Sequence, residues 1–239
     1  MRNAMRVLVT RPRADAETFA ERLRALSHTT IIEPLIDIVF VDGLPLDLAG
    51  VQALALTSAN GARAAARRTN ERSIQVVAVG PATASEARVQ GFTNISESNG
   101  EGVEGLHRHI EATFKPTGGT ILHATGTVSA GDLKASLGLA GFSVRMERLY
   151  EARAAQSFSG ALTAELGAGL IDAAAFFSPR TASLFVSLIE AENLASACRS
   201  MIAVALSPAV ANALVSLTFR EVRVAEQPTA EAMLTLLAP

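Results

Sequence analysis

Small hydroxyls, glycines and occasional arginines recur at one kind of place in this chain, directly after a short apolar run. Thr10-Arg11-Pro12-Arg13 follows Val7-Leu8-Val9, and Ser58-Ala59-Asn60-Gly61 follows Leu54-Ala55-Leu56-Thr57. Gly80-Pro81-Ala82-Thr83, Ala124-Thr125-Gly126-Thr127, Ser178-Pro179-Arg180-Thr181 and Ser207-Pro208 stand at equivalent places. Backbone N–H groups at the start of a helix, with hydroxyls beside them, form a site for carboxylate or phosphate. Arg adds bidentate recognition of the same anions. The same side chains also serve a plainer purpose: Ser178-Pro179 is a hydroxyl cap followed by proline at the first helical position.

Tyr150 is the only tyrosine. It is either a packed aromatic with its hydroxyl at the surface or a phenol that donates a proton. Other constellations fail on context. Gly100-Glu101-Gly102-Val103-Glu104-Gly105 matches the dinucleotide fingerprint. It follows no strong strand, however, and Glu101 and Glu104 repel a pyrophosphate, so it reads as a helix entry. No phosphate loop, nucleophile elbow or zinc-protease motif occurs. His107 and His109 diverge on a helix and lack cysteine partners, so no metal is expected. Cys198 reads as a small buried hydrophobe.

The elements that must position these residues are short strands alternating with amphipathic helices. Strands are expected at Arg6–Thr10, Leu54–Thr57, Gln75–Val79, Phe92–Ile95, Thr120–His123, Ser143–Glu151, Ala173–Phe177, Met201–Leu206 and Glu221–Val224. Thr30–Val41 reads as extended, with Pro34 unable to sit in a central strand. Helices are expected at Asp15–Ser27, about Asn60–Arg68, Ala82–Val89, Val103–Phe114, Asp132–Leu139, Ala182–Ala191, Ala209–Leu217 and Thr229–Leu237, and Lys115–Gly119 reads as a linker. Such alternation predicts an α/β fold with doubly wound parallel sheets. In these sheets ligands lie beyond the carboxyl ends of the strands, where the hydroxyl loops fall.

The chain also says nearly the same thing twice. Val77-Ala78-Val79-Gly80-Pro81-Ala82 returns 127 residues on as Val204-Ala205-Leu206-Ser207-Pro208-Ala209. Ala53–Asn60 returns 120 residues on as Ala173–Arg180; Val7–Thr10 and Ile32–Leu35 return 114 residues on as Ile121–Ala124 and Met146–Leu149. Ordered matches with slowly drifting offsets indicate a duplicated α/β unit rather than a short-period solenoid. Two similar domains imply a cleft between them.

Composition bounds the function. The 239 residues are 49% hydrophobic and 18% charged with a formal net charge of −2, which argues against a nucleic-acid or polybasic membrane binder. One cysteine excludes an intrachain disulfide and fits a reducing compartment. With no signal-like start and no bilayer-length apolar run, a soluble cytoplasmic protein is expected. No heptad pattern points beyond a monomer.

Taken together, Val7-Leu8-Val9-Thr10-Arg11-Pro12, Glu33-Pro34-Leu35, Leu56–Gly61, Val79–Ala84, Arg148-Leu149-Tyr150, Phe176-Phe177-Ser178-Pro179 and Pro228–Ala232 resemble, in order and over nearly the whole chain, the uroporphyrinogen-III synthase family. The resemblance implies two flavodoxin-like parallel-sheet domains joined by a two-stranded connector, residues 1–36 with 151–239 forming one and 37–150 the other. It implies hydroxymethylbilane as substrate, cyclised to uroporphyrinogen III with loss of water and inversion of ring D through a spiro intermediate, without a cofactor. Positioning is most of such catalysis.

Carried over residue by residue, the resemblance makes Tyr150 the group that assists loss of the hydroxyl. Thr83 and Ser178 match family binding residues. Thr10, Arg11, Ser58, Asn60, Gly80, Thr125, Arg180 and Ser207 are the further expected contacts, with Arg13, Arg63, Thr127 and Ser129 as additional donors. Val210 departs from the pattern, standing where the first repeat has Thr83. Two other classes of function compete: a non-catalytic binder of a small polyanion, which needs no phenol, and a phosphosugar or nucleotide enzyme, which the missing phosphate loop opposes.

Overall fold

The computed structural model describes residues 4–98, 102–127 and 132–238. In chain order its elements are β1 (Arg6–Val9), α1 (Arg13–Ala25), β2 (Thr29–Ile32), β3 (Ile36–Phe40), β4 (Val51–Leu56), α2 (Ala59–Arg68), β5 (Val76–Ala78), α3 (Pro81–Val89), β6 (Ile95–Glu97), α4 (Gly102–Thr113) and β7 (Thr120–Gly126). They continue as α5 (Leu133–Leu139), β8 (Val144–Ala154), α6 (Gly160–Gly167), β9 (Ala173–Phe176), α7 (Pro179–Ala191), β10 (Ile202–Ala205), α8 (Pro208–Asn212), β11 (Glu221–Val224) and α9 (Ala230–Leu237). The chain divides into two compact units, residues 1–37 with 153–239, and residues 38–152.

The first unit holds a sheet in the order β11-β10-β9-β1-β2, every neighbouring pair parallel. Its three central strands, β10, β9 and β1, are buried on both faces, and the period-two alternation of side chains divides the core in two. Leu8, Ala174, Phe176 and Ala203 pack with Leu162, Leu166, Phe185 and Ile189 on one face. Val7, Val9, Ala175 and Val204 pack with Phe19, Leu23, Met233 and Leu237 on the other. Phe176 and Phe185 meet edge to face at 5.0 Å between centroids.

The second unit holds a sheet in the order β3-β8-β7-β4-β5-β6, parallel from β8 to β6. Leu54, Leu56 and Leu122 pack against Ala62, Ala65 and Ala87 of α2 and α3. Ala53, Ala55, Val77 and Ile121 pack against Leu106, Ile110 and Leu137 of α4 and α5. The two sheets are related in the way the internal matches imply. Placing β7, β8, β4, β5 and β6 against β1, β2, β9, β10 and β11 gives one common strand order in which the second unit is a circular permutation of the first.

Several sequence-based boundaries shift for identifiable reasons. The extended Thr30–Val41 stretch is two strands, β2 and β3, parted at Glu33-Pro34-Leu35, where proline has no N–H to give a ladder. The helix expected over Ala209–Leu217 ends at Asn212, and turns continue the chain. Val210, Leu214 and Leu217 are nonetheless all buried in one cluster, so apolar spacing survives where the helix does not. The strand expected at Phe92–Ile95 begins only at Ile95, and Phe92 is a buried contact before it. The Lys115–Gly119 linker contains a single 3-10 turn, Pro116–Gly118.

Helix α6 was not expected. Ser159 caps it by accepting from the Leu162 amide, and Leu162 and Leu166 are its buried residues. The capping serine and the i, i+4 leucines are its sequence signal, weakened by the flanking Gly160 and Gly167.

Cys198 is fully buried in the first unit, and burial pushes its thiol up to about 11. The thiolate is the reactive form. A disulfide reagent at pH 8 is therefore expected to react with native protein far more slowly than with protein in urea. Equal rates would place Cys198 at the surface.

Candidate active site

Parallel sheets with crossovers leaving in opposite directions have a switch point, and ligands settle beyond the strand ends there. In the second unit that point lies between β4 and β7, and in the first between β1 and β9.

At the second unit's switch point, Ser58 is the N-cap of α2, and its Oγ accepts from the Gly61 amide at 3.0 Å. Gly61 passes close to β7, where an added Cβ would lie 3.2 Å from the Ala124 carbonyl oxygen. Tyr150 lies on β8, opposite Gly126 at the end of β7. The register is irregular between Thr125 and Gly126, where Arg148 and then Tyr150 are the successive partners. An extra residue of this kind re-aims a side chain. As a result Leu149 and Tyr150, adjacent in sequence, both enter the α2–α3 core instead of opposite faces.

The irregularity delivers the phenol to Ser58, with Tyr150 Oη and Ser58 Oγ 2.9 Å apart. The tyrosine is 8% exposed. Its ring lies against Gly126, where a Cβ would come within 2.6 Å of Cε2 and 2.7 Å of Cζ. Just past this point the Thr127 amide donates to the Tyr150 carbonyl, and the Ala152 amide donates to Thr127 Oγ1.

The other expected residues of this unit divide by environment. Thr125 is buried, its hydroxyl donating to the Gly126 carbonyl at 3.2 Å. Asn60 accepts from Arg63, which also forms a 2.7 Å ion pair with Glu86. Arg63, expected as a donor for the ligand, is thus engaged within the fold. Gly80 precedes α3 in an extended conformation with Pro81 at the first helical position, and Thr83 is buried in the first turn. Ser129 lies outside the described residues, as do Gly100 and Glu101. Gly102–Gly105 begin α4, with Glu104 in its first turn. His109 faces the Ser96 hydroxyl, and His107 lies 3.5 Å from Glu111. Among the described residues no group of metal-ligating side chains forms.

His123 was missed. It is 1% exposed, its Nε2 lies 3.3 Å from Thr57 Oγ1, and its Nδ1 has no hydrogen-bond partner. Its only sequence signal was a polar residue inside an apolar strand. Burial holds the imidazole below its usual 6.5. Below pH 6.5 the unfolded chain binds a proton that the folded chain refuses, so stability is present above that value and is lost as pH falls toward the folded one. The urea midpoint is expected to drop between pH 7 and 5 by more in wild type than in His123→Gln. Parallel curves for the two proteins would remove His123 as the cause.

In the first unit, Thr10 is fully buried and its hydroxyl donates to the Ala175 carbonyl at 3.0 Å, tying β1 to β9. Arg11 is half-buried, its guanidinium 4.2 Å from the Phe177 ring centroid and 3.5 Å from Asp15. Phe177 in turn meets Phe19 edge to face at 4.9 Å. Arg13 is exposed and faces Glu17. Ser178 caps α7, accepting from the Thr181 amide at 3.1 Å, with its Oγ 2.9 Å from Thr181 Oγ1. Arg180 is exposed in the first turn of α7. Ser207 precedes α8 and makes no side-chain cap, while Val210 is buried in the core. Among these residues Arg63 is bonded to Asn60, and Tyr150, within β8 but opposite the end of β7, is bonded to Ser58.

A family model described as Uroporphyrinogen-III synthase HemD matches residues 17–235. No curated protein matches the chain. Among solved structures, a uroporphyrinogen-III synthetase from Helicobacter pylori is 17% identical, with 98% of each chain covered and a TM-score of 0.64. A mutant uroporphyrinogen III synthase from Thermus thermophilus is 18% identical, with 98% of this chain and 97% of that chain covered and a TM-score of 0.57. At these identities the two structures establish a shared α/β fold.

Proposed function

Because this chain belongs to the uroporphyrinogen-III synthase family, we propose that it closes hydroxymethylbilane into uroporphyrinogen III, acting as a cyclising hydro-lyase. The observation that carries this reading is the phenol of Tyr150, held against the cap of α2 at the carboxyl edge of a parallel sheet. A simple anion binder has no use for a phenol in that place.

In the proposed reaction Tyr150 gives its proton to the terminal hydroxyl as the carbon–oxygen bond breaks, so that water departs and a protonated azafulvene forms, and the phenolate takes back the proton shed when the closed macrocycle regains its aromatic pyrroles. Ring D attacks through its substituted position, and the spiro intermediate fragments and recloses with that ring inverted. The pyrroles supply the electrons for these steps, and the protein supplies position. Simple head-to-tail closure, which proceeds without a catalyst, is the competing path.

The substrate's carboxylates are assigned to donors at the strand ends. Arg11, Arg180, Ser178 and Ser207 serve from one unit. Asn60, Gly80 and Thr83 serve from the other, with the uncapped amides at the start of α3, while Ser58 holds the phenol. Thr10 and Thr125 act through the backbone they brace, their hydroxyls being spent on carbonyls. The shared strand order supports two flavodoxin-like domains, one of them discontinuous, with β3 and β8 as the connector. We place the protein in the cytoplasm as a monomer that needs no cofactor. Among the described residues no helix is long and apolar enough to cross a membrane.

The test is an assay in which hydroxymethylbilane is generated in situ and the oxidised porphyrin isomers are separated. Isomer III appearing on addition of this protein supports the reading, and isomer I alone from folded protein overturns it.

A further inference from the structure

We propose that Ser58 is a positioning residue that donates its hydroxyl hydrogen to Tyr150 Oη, leaving the phenol's own proton for the leaving hydroxyl of the substrate. The role rests on the synthase reading above. The geometry defines a three-member chain. The Gly61 amide donates to Ser58 Oγ at 3.0 Å, and Ser58 Oγ lies 2.9 Å from Tyr150 Oη. Either hydroxyl could donate across the second contact, and the first contact decides between them. An oxygen already accepting from an amide at a helix N-terminus is depleted of electron density, so it becomes the better donor and the poorer acceptor. The head-to-tail arrangement therefore runs from the helix, through the serine, to the phenol oxygen.

This arrangement has a chemical consequence. When Tyr150 releases its proton, negative charge develops on Oη. A hydrogen bond already aimed at that oxygen and backed by the positive end of a ten-residue helix needs no reorganisation to stabilise it. The Gly126 backbone under the ring leaves no room for a side chain there, which holds the phenol in register with Ser58.

The chain contains one tyrosine and no tryptophan, so near-ultraviolet absorption of the native protein reports Tyr150 above the weak phenylalanine bands. A phenol that accepts a hydrogen bond absorbs to the blue of one that does not, and a phenol that donates absorbs to the red. Ser58→Ala is therefore expected to move the tyrosine band to the red. A move to the blue would reverse the donor assignment, and an unmoved band would remove the bond.

In the isomer assay Ser58→Ala is expected to lower kcat about tenfold, the worth of one hydrogen bond, with KM held. Ser58→Thr, which keeps the hydroxyl and the cap, is expected to restore both band and rate. In a Tyr150→Phe background Ser58→Ala is expected to cost nothing further. A full tenfold loss there would mean that Ser58 acts through its cap or on the substrate directly, and would sink the proposal. Wild-type protein that yields only isomer I would overturn the synthase reading and this role with it, while the spectral shift would still report the bond.

Discussion

Tyr150→Phe is expected to lower turnover about a hundredfold, the lower range for loss of a positioned general acid, while leaving the fold and its thermal midpoint nearly unchanged. The ring keeps its contacts with Gly126 and the α2–α3 core, because the substitution removes only Oη. What remains behind is Ser58, which keeps its bond from the Gly61 amide and so is not orphaned. As enzymatic closure slows, spontaneous head-to-tail closure takes a larger share, so the fraction of isomer I rises with the loss of rate. Full wild-type turnover in this variant would take the phenol out of the chemistry and leave Tyr150 as a packing residue.

The second large effect is expected at Gly126. A methyl group there would stand 2.6 Å from Tyr150 Cε2 and 2.7 Å from Cζ, and the tyrosine belongs to the same buried cluster as Leu56 and Ala62. Neither the strand backbone nor the core behind the ring can yield cheaply. Gly126→Ala is therefore expected to destabilise the second unit by about 1–3 kcal/mol, the usual cost of overpacking, and to push Oη away from Ser58. Turnover should fall with stability, in contrast to Tyr150→Phe, where the two separate. Because Tyr150 is the only tyrosine and lies in this unit, urea unfolding followed by its fluorescence reads the relevant transition. An unchanged midpoint would mean that the ring has room the geometry denies it.

Both predictions turn on glycine and tyrosine in a pairing that no local pattern announces. Gly126 is the last residue of β7, and glycine in a strand marks close approach of another group. Read alone it belonged to a run of small residues after Ile121-Leu122, and nothing in it specified which ring lay above. Tyr150 was singled out by being unique and by its place in the Arg148-Leu149-Tyr150 segment. Ser58 reads in sequence as one of several hydroxyls in the strand-end loops. That the two share a hydrogen bond across ninety-two positions follows from the parallel pairing of β7 with both β4 and β8, and from the irregular register that turns Tyr150 inward.

Much of the architecture was written locally. Short continuous apolar runs, helical spacing of leucines and alanines, and Gly-Pro or Ser-Pro at helix starts act over a few residues, so they place strands, helices and strand-end loops without reference to the rest of the chain. The repeated segments carried the common strand order for the same reason, since each copy encodes the same local elements. Tertiary structure alone decided which hydroxyls are available. Thr10 and Thr125 look like the other loop hydroxyls in sequence, yet each lies buried against a neighbouring carbonyl. Arg63 looks like a spare cation and is held by Glu86. His123 is a polar residue sealed into a core. Burial and long-range pairing depend on which strands become neighbours, and that is a property of the assembled sheet rather than of any segment within it.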